Sequence, residues 1–179
     1  MRIAAIALVA GLPCLGQQLG LMENLAPNLP TPQLIVQKML EAGHVKAGET
    51  VYDLGSGDGR ILIAAVQQFG ARGVGIEILP ELCKKSRQHI KELGLEDKIT
   101  IVEGSALHAD LRPADVVTMC LLTTSNERLR PLLEKSLKPG SRVVTNEFPV
   151  KGWRPFAVAH VREGSMEHII YVYNMGKTR

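Results

Sequence analysis

The chain has 179 residues, 45% of them hydrophobic and 22% charged, which is enough apolar material for one globular domain with a buried core and too much for a disordered chain. Its 21 Lys and Arg against 18 Asp and Glu leave a formal charge of +3, too small and too evenly spread for a surface that tracks phosphates. Only 4% of residues are aromatic and Trp153 is the single Trp, so platforms for stacking single-stranded bases are few and no nucleic-acid partner is expected. Cys14, Cys83 and Cys120 have no paired spacing, and the five His include no HxxxH pair. No disulfide framework and no metal site are therefore expected.

Residues 1–21 differ from the rest. Arg2 precedes an apolar run, Ile3 to Leu15, with small residues Cys14 and Gly16 spaced as in a cleavage site. The run is shorter than the ~18 apolar residues of a membrane span. It reads as a secretory signal or anchor, with a membrane contact through residues 3–15; the alternatives are a start at Met22 or an apolar helix lying against the domain. Residues 22–179 form the domain proper.

Thr31 and Pro32 have the pattern of an N-cap followed by Pro at the first helical position, and Ile35, Val36, Met39 and Leu40 share a helical face before Gly43. Thr50 to Leu54 is a strand, followed by a glycine-rich turn and a helix from Arg60 to Phe69. The unit repeats with a strand from Gly73 to Ile78, a helix from Pro80 to Leu93 burying Leu82, Cys83, Ser86, Ile90 and Leu93, and a strand from Ile99 to Glu103. Val116 to Leu122 is apolar throughout, which suits a parallel strand covered on both faces. Thr124 and Glu127 have capping-box spacing for a helix running to about Leu137, ended by Lys138-Pro139-Gly140. Arg142 to Phe148 is a fifth strand. Phe156 to Val161 and Ile169 to Tyr173 alternate about Glu163-Gly164-Ser165 as an antiparallel hairpin. The expected architecture is α/β: a Rossmann-like, doubly wound, mostly parallel seven-stranded sheet with a C-terminal antiparallel hairpin.

In such sheets ligands bind beyond the carboxyl ends of the strands, here at Asp53-Leu54-Gly55-Ser56-Gly57-Asp58-Gly59-Arg60. Glycines let the backbone approach a ligand at a helix N-terminus. A dinucleotide fingerprint needs glycine where Arg60 stands. Asp53 and Asp58 would repel a pyrophosphate, whereas they attract the sulfonium and ammonium of S-adenosylmethionine (SAM). Glu77, about twenty residues on, is placed to accept from both ribose hydroxyls.

VYDLGSGDGR followed by GVGIEI resembles the cofactor signature of the class I, seven-strand SAM-dependent methyltransferases. PTPQLIVQKML, VVTMCLLTTSNERLRPLLEKSLKPGSRVV and NEFPVKGW resemble the small protein lysine methyltransferases of archaea and their mitochondrial relatives that act on the adenine nucleotide translocase and the ATP synthase c-subunit. The similarity runs from about Leu29 to Asn174. It implies that SAM is the cofactor and S-adenosylhomocysteine the product. Asp53, Gly55, Gly57 and Asp58 would hold the methionine half, Glu77 the ribose, and Ser105 and Ala106 would sit by the adenine, with Ser56 and Ile78 as further cofactor-binding residues. Thr31 and Pro32 would lie over the cofactor, with Leu121 beside it, while Glu147 and Trp153 would line a lysine entrance.

The acceptor so implied is a protein lysine. Methyl transfer requires collinear placement rather than a triad, and a lysine becomes a nucleophile when an apolar channel desolvates it. Leu121, Leu122 and Phe148 are candidate walls, and Glu147 and Asn146 candidate catalytic residues that orient the amine. Met119-Cys120-Leu121-Leu122-Thr123 stands where amino-methylating nucleic-acid enzymes carry an Asn/Asp-Pro-Pro-aromatic motif, which disfavours base methylation. A small-molecule methyltransferase and a non-catalytic SAM-binding module remain as alternatives. Because SAM is cytosolic, a cytoplasmic location is favoured, with export or anchoring through residues 1–21 as the alternative.

Overall fold

The computed structural model describes Leu25 and residues 29–178; the reading of residues 1–21 lies outside them. The elements in chain order are α1 (Gln33–Ala42), β1 (Thr50–Leu54), α2 (Arg60–Phe69), β2 (Arg72–Glu77), α3 (Pro80–Glu92), β3 (Ile99–Glu103), a 3-10 turn (Ala106–His108), β4 (Val116–Met119), α4 (Thr123–Ser136), β5 (Arg142–Asn146), β6 (Ala157–Glu163) and β7 (Met166–Asn174). One seven-stranded sheet has the order β3-β2-β1-β4-β5-β7-β6. The pairings among β1 to β5 are parallel and those of β7 with β5 and β6 antiparallel, so the expected architecture is present. Strand order reverses between β1 and β4, which is where an open α/β sheet forms its ligand crevice.

The central strands bury side chains on both faces, as strands of a parallel sheet between helices do. Val51, Val116, Val144 and Ile170 point into a core with Ile35, Met39 and Leu40 of α1 and Leu62 of α2. Their strand neighbours Tyr52, Val117, Val143 and Tyr173 point into a second core with Leu129 and Leu133 of α4. Burial of each large aliphatic side chain contributes roughly 1.5–3 kcal/mol, which is what holds the helices to the sheet.

Several local details depart from expectation. Thr31 does not cap α1: Pro32 is the capping position, with no side-chain bond, while the Thr31 side chain meets Cys120 and its carbonyl accepts from Arg60. α4 starts two residues early, with the Leu122 carbonyl accepting from the Ser125 and Asn126 amides, so Thr124 lies within the first turn and the capping box does not form. Leu93 follows the last residue of α3 and is exposed rather than buried, and Leu82 is only half-buried. β4 ends at Met119 and β5 at Asn146, short of Leu122 and Phe148. β1 pairs no further than Leu54 with Met119, and the backbone turns sharply at Glu147 (φ 65°). The hairpin is longer than expected and closes through Gly164 (φ 60°) and Ser165, the left-handed glycine that a two-residue turn demands.

Candidate functional site

Beyond the carboxyl ends of β1, β2 and β4 opens a cleft with an empty volume of ≈ 1000 Å³, mouth included. The glycine loop forms its floor. Gly55 (φ 81°), Gly57 (φ 54°) and Gly59 (φ 81°) alternate with Ser56 and Asp58, a left-handed path that residues with a Cβ adopt at a cost of roughly 1–2 kcal/mol each. The Gly55 and Ser56 amides both donate to the Ile76 carbonyl, at 2.8 and 3.1 Å, tying the loop to β2. Gly75 on β2 makes room for this: a Cβ there would stand 2.5 Å from Ser56 Oγ. The second strand thus needs glycine for a packing reason that the loop motif itself does not reveal.

Four carboxylates shape the electrostatics. Asp53 is 2% exposed and accepts a 2.7 Å bond from Thr118 Oγ1. Burial, reinforced by the charges of Glu77 and Asp58, pushes its pKa up to about 7, while the Thr118 bond pulls it down. Glu77 accepts from the Gly57 amide through Oε2 at 2.8 Å and from the Leu79 amide through Oε1 at 2.9 Å, joining the glycine loop to the start of α3. Asp58 is gripped by Arg60 through Nε at 2.9 and 3.1 Å and Nη2 at 2.6 Å. That guanidinium holds its carboxyl below the usual range. Arg60 Nη1 also donates to the Thr31 carbonyl at 2.8 Å, so the residue that breaks the dinucleotide fingerprint fastens the segment before α1 to the loop.

The fourth carboxylate is Glu147. It occupies a left-handed conformation without being glycine, a strain of roughly 1–3 kcal/mol of the kind concentrated at functional sites. Its amide donates to the Ile169 carbonyl at 2.8 Å, and its Oε1 lies 2.5 Å from His168 Nδ1. Asn146 beside it is 9% exposed, with Oδ1 buried and unpartnered. Cys120, which does line the cleft, connects this corner to the floor: its thiol is pushed up to about 12 by burial, with further contributions from the charges of Asp53 and Glu147. It is a neutral wall, not a nucleophile.

Thr31, Asp53, Gly55, Ser56, Gly57, Asp58, Glu77, Ile78, Ala106 and Leu121 all line the cleft. Pro32 and Ser105 do not: Pro32 is used to start α1, and Ser105 Oγ accepts from the Leu107 amide to cap the 3-10 turn. Asn146 and Glu147 are not lining residues either; they stand next to Cys120 at the end of the neighbouring strand. Trp153 is no entrance residue. It is 7% exposed, packs edge-on against Tyr173 at 5.4 Å and donates from Nε1 to Glu134 at 2.8 Å. Sequence reasoning missed Arg60, Leu25, Leu29 and Lys85 as lining residues, and missed His168. For Arg60 the signal was available, a long cation directly after an acidic glycine loop.

The donor set suits SAM. Asp53 is a buried acid whose ionisation is held back by its surroundings, with the Arg60 guanidinium engaged by Asp58, and an arriving ammonium or sulfonium would supply the missing counter-charge. A pyrophosphate would meet carboxylates instead. Among the described residues no group of three His, Cys, Asp or Glu is arranged to hold a metal ion.

Comparison with known proteins agrees with this reading. A family model described as the ANTKMT methyltransferase domain matches residues 53–157. A protein-lysine N-methyltransferase of Saccharolobus islandicus is 45% identical over 152 residues, covering 84% of this chain and 94% of that protein. The mouse adenine nucleotide translocase lysine N-methyltransferase is 34% identical over 73% of this chain, which spans 56% of the mouse protein's length. The crystal structure of an RNA methyltransferase from Salinibacter ruber in complex with S-adenosyl-L-homocysteine superposes with a TM-score of 0.78 at 43% identity, covering 82% of this chain and 94% of that one. Fold, acidic glycine loop and relatives converge: the chain belongs to the ANTKMT methyltransferase-domain family and is a SAM-dependent methyltransferase.

Proposed function

We propose that the acceptor is the side-chain amine of lysine in a protein. The observation that carries this reading is the corner at the end of β5, where Glu147 is held in a strained conformation beside Asn146, whose buried Oδ1 lacks a donor. An amine is the acceptor group that satisfies both, offering N–H donors to each. Leu122 and Phe148 at the same strand ends are 41% and 39% exposed, an apolar rim suited to a protein surface. Names carried by the Saccharolobus and mouse relatives support the same acceptor.

When bound, SAM supplies a methyl group on a sulfonium, open to in-line attack. Asp53 would pair with its ammonium, the amides of Gly55 to Gly57 would face its methionine half, Glu77 its ribose, and Ile78 and Ala106 its adenine. Thr31, with Leu29 and Pro30, would cover the mouth. For the acceptor, the buried thiol of Cys120 and the side chain of Leu121 form a dry wall that favours the neutral amine. Glu147 Oε2 and Asn146 Oδ1 orient it by accepting its N–H groups, and the carboxylate takes up the proton released as the amine becomes nucleophilic.

A second reading, methylation of RNA, is favoured by one observation, the description of the Salinibacter ruber neighbour. One experiment separates the readings. The purified chain is incubated with methyl-labelled SAM and host lysate, with and without ribonuclease, and label is located by mass spectrometry. Protease-sensitive label on lysine is the expected result. Ribonuclease-sensitive label moves the acceptor to RNA, label only in small molecules moves it to a metabolite, and SAM binding without transfer leaves a binding module. A Glu147→Ala variant is expected to lose at least about tenfold in turnover; unchanged turnover removes Glu147 from the mechanism.

A further inference from the structure

The antiparallel pairing of β5 with β7 places Asn146 opposite Ile170, so the chain just past β5 runs beside the segment just before Ile170. This is why the Glu147 amide meets the Ile169 carbonyl and its carboxylate meets the ring of His168. The imidazole is not a solvated surface group, since only 12% of its side chain is exposed. Its Nε2 is buried without a hydrogen-bond partner, and the nearest acid on that side, Glu163 at the end of β6, is 4.0 Å away. One nitrogen is therefore committed to Glu147 and the other makes no bond. A carboxylate oxygen only accepts, so a hydrogen bond between the two groups has Nδ1–H as its donor.

We propose that His168 is the positioning residue of the acceptor site: its Nδ1–H fixes Oε1 of Glu147 and so aims Oε2 at the incoming amine. The inference rests on the lysine reading above. A glutamate has three side-chain torsions, and the left-handed backbone at Glu147 fixes only where they begin. Of its two oxygens, Oε1 is held by a ring that is itself clamped between β5 and β6. That bond removes the torsional freedom that would otherwise let the carboxylate swing into water, and it leaves the second oxygen for the substrate. His168 touches neither cofactor nor acceptor. Its effect runs entirely through Glu147.

The test uses the full chain, a lysine-containing protein labelled in the lysate experiment, and the variants His168→Ala, His168→Asn and Glu147→Gln. His168→Ala is expected to lower kcat/KM for the acceptor about a hundredfold, the scale set by misplacing a reacting group by an ångström. SAM affinity by calorimetry should stay within about twofold, because the cofactor side of the cleft is untouched. His168→Asn should recover most of the loss, since its carboxamide N–H reaches the place of Nδ1–H, and His168→Ala should add little in a Glu147→Gln background. Equal activity of wild type and His168→Ala overturns the proposal, as does equal impairment of the Ala and Asn variants, or a loss of activity that tracks a loss of SAM affinity. If wild type labels no lysine, the acceptor reading falls and this inference with it; lysine labelling indifferent to His168 removes this inference alone. Should the variants not fold, nitrogen-15 imidazole spectra decide on the native protein. A proton localised on Nδ1 in wild type is expected, and a ring averaging between tautomers refutes the assignment.

Discussion

The charge state of Asp53 makes cofactor binding a titration. Its pKa, moved from 3.8 to about 7 by burial and by the neighbouring acids, means that ionising it in the ligand-free protein costs roughly 4 kcal/mol more than in water. Because the folded value lies above the unfolded one, its contribution favours folding most at low pH, and that advantage is lost as pH rises from about 4 through about 7. Binding runs the other way. A cation in the cleft needs the ionised form, which is mostly populated at pH 8 and scarce at pH 5, so SAM affinity should fall by more than about tenfold between them. At pH 7 about half a proton should be released per SAM bound, measurable by calorimetry in buffers of different ionisation enthalpy. Asp53→Asn keeps an oxygen for Thr118 Oγ1 and removes the charge. It should raise the Tm of the ligand-free protein at pH 8, flatten the stability slope and abolish tight SAM binding. A SAM Kd that is flat from pH 5 to pH 8, or a D53N protein less stable than wild type at pH 8, refutes this account of the site.

Three further substitutions probe the supports of the cleft. Gly75→Ala drives a methyl group to within 2.5 Å of Ser56 Oγ and 2.7 Å of Ile101 Cδ1; it should cost about 1–3 kcal/mol in denaturant melts and weaken SAM binding, and an unchanged Kd would separate the loop from β2. Arg60→Gly completes the GxGxxG spacing but frees Asp58 and the Thr31 carbonyl; SAM affinity should drop about tenfold as those charge-assisted contacts are lost, with no NAD(H) binding gained in fluorescence titration. Trp153→Phe removes the Nε1 bond to Glu134 while keeping the contact with Tyr173. It should cost about 1 kcal/mol of stability and leave the acceptor KM alone; a raised KM would return Trp153 to the entrance.

The order of strands and helices was legible because β and α periods alternate strongly, and the glycine loop was legible because turn geometry is written in single residue types. Helix starts were not. Pro32 and Leu122 begin their helices without side-chain caps, so Thr31 and Thr124 marked starts that lie one and two residues away. Trp153 looked like a rim residue since its partner, Glu134, lies across a loop on α4. The pairing of Glu147 with His168 spans 21 positions and follows only from the β5–β7 register, which no local pattern encodes. Asp53 could be named as a site residue from its motif, but its unusual protonation depends on the burial that the finished sheet provides.

The insertion of β7 between β5 and β6 has a consequence for the chain as it leaves the ribosome. The glycine loop and Glu77 lie in a βαβ unit whose contacts are local, between residues 50 and 77, and contacts of that kind form early. The corner at Glu147 waits for Ile169 and His168, which are synthesised well after that unit. The local contacts around the glycine loop therefore close over a far shorter stretch of chain than those at Glu147. The corner around Glu147 closes only when β7 slides in beside β5.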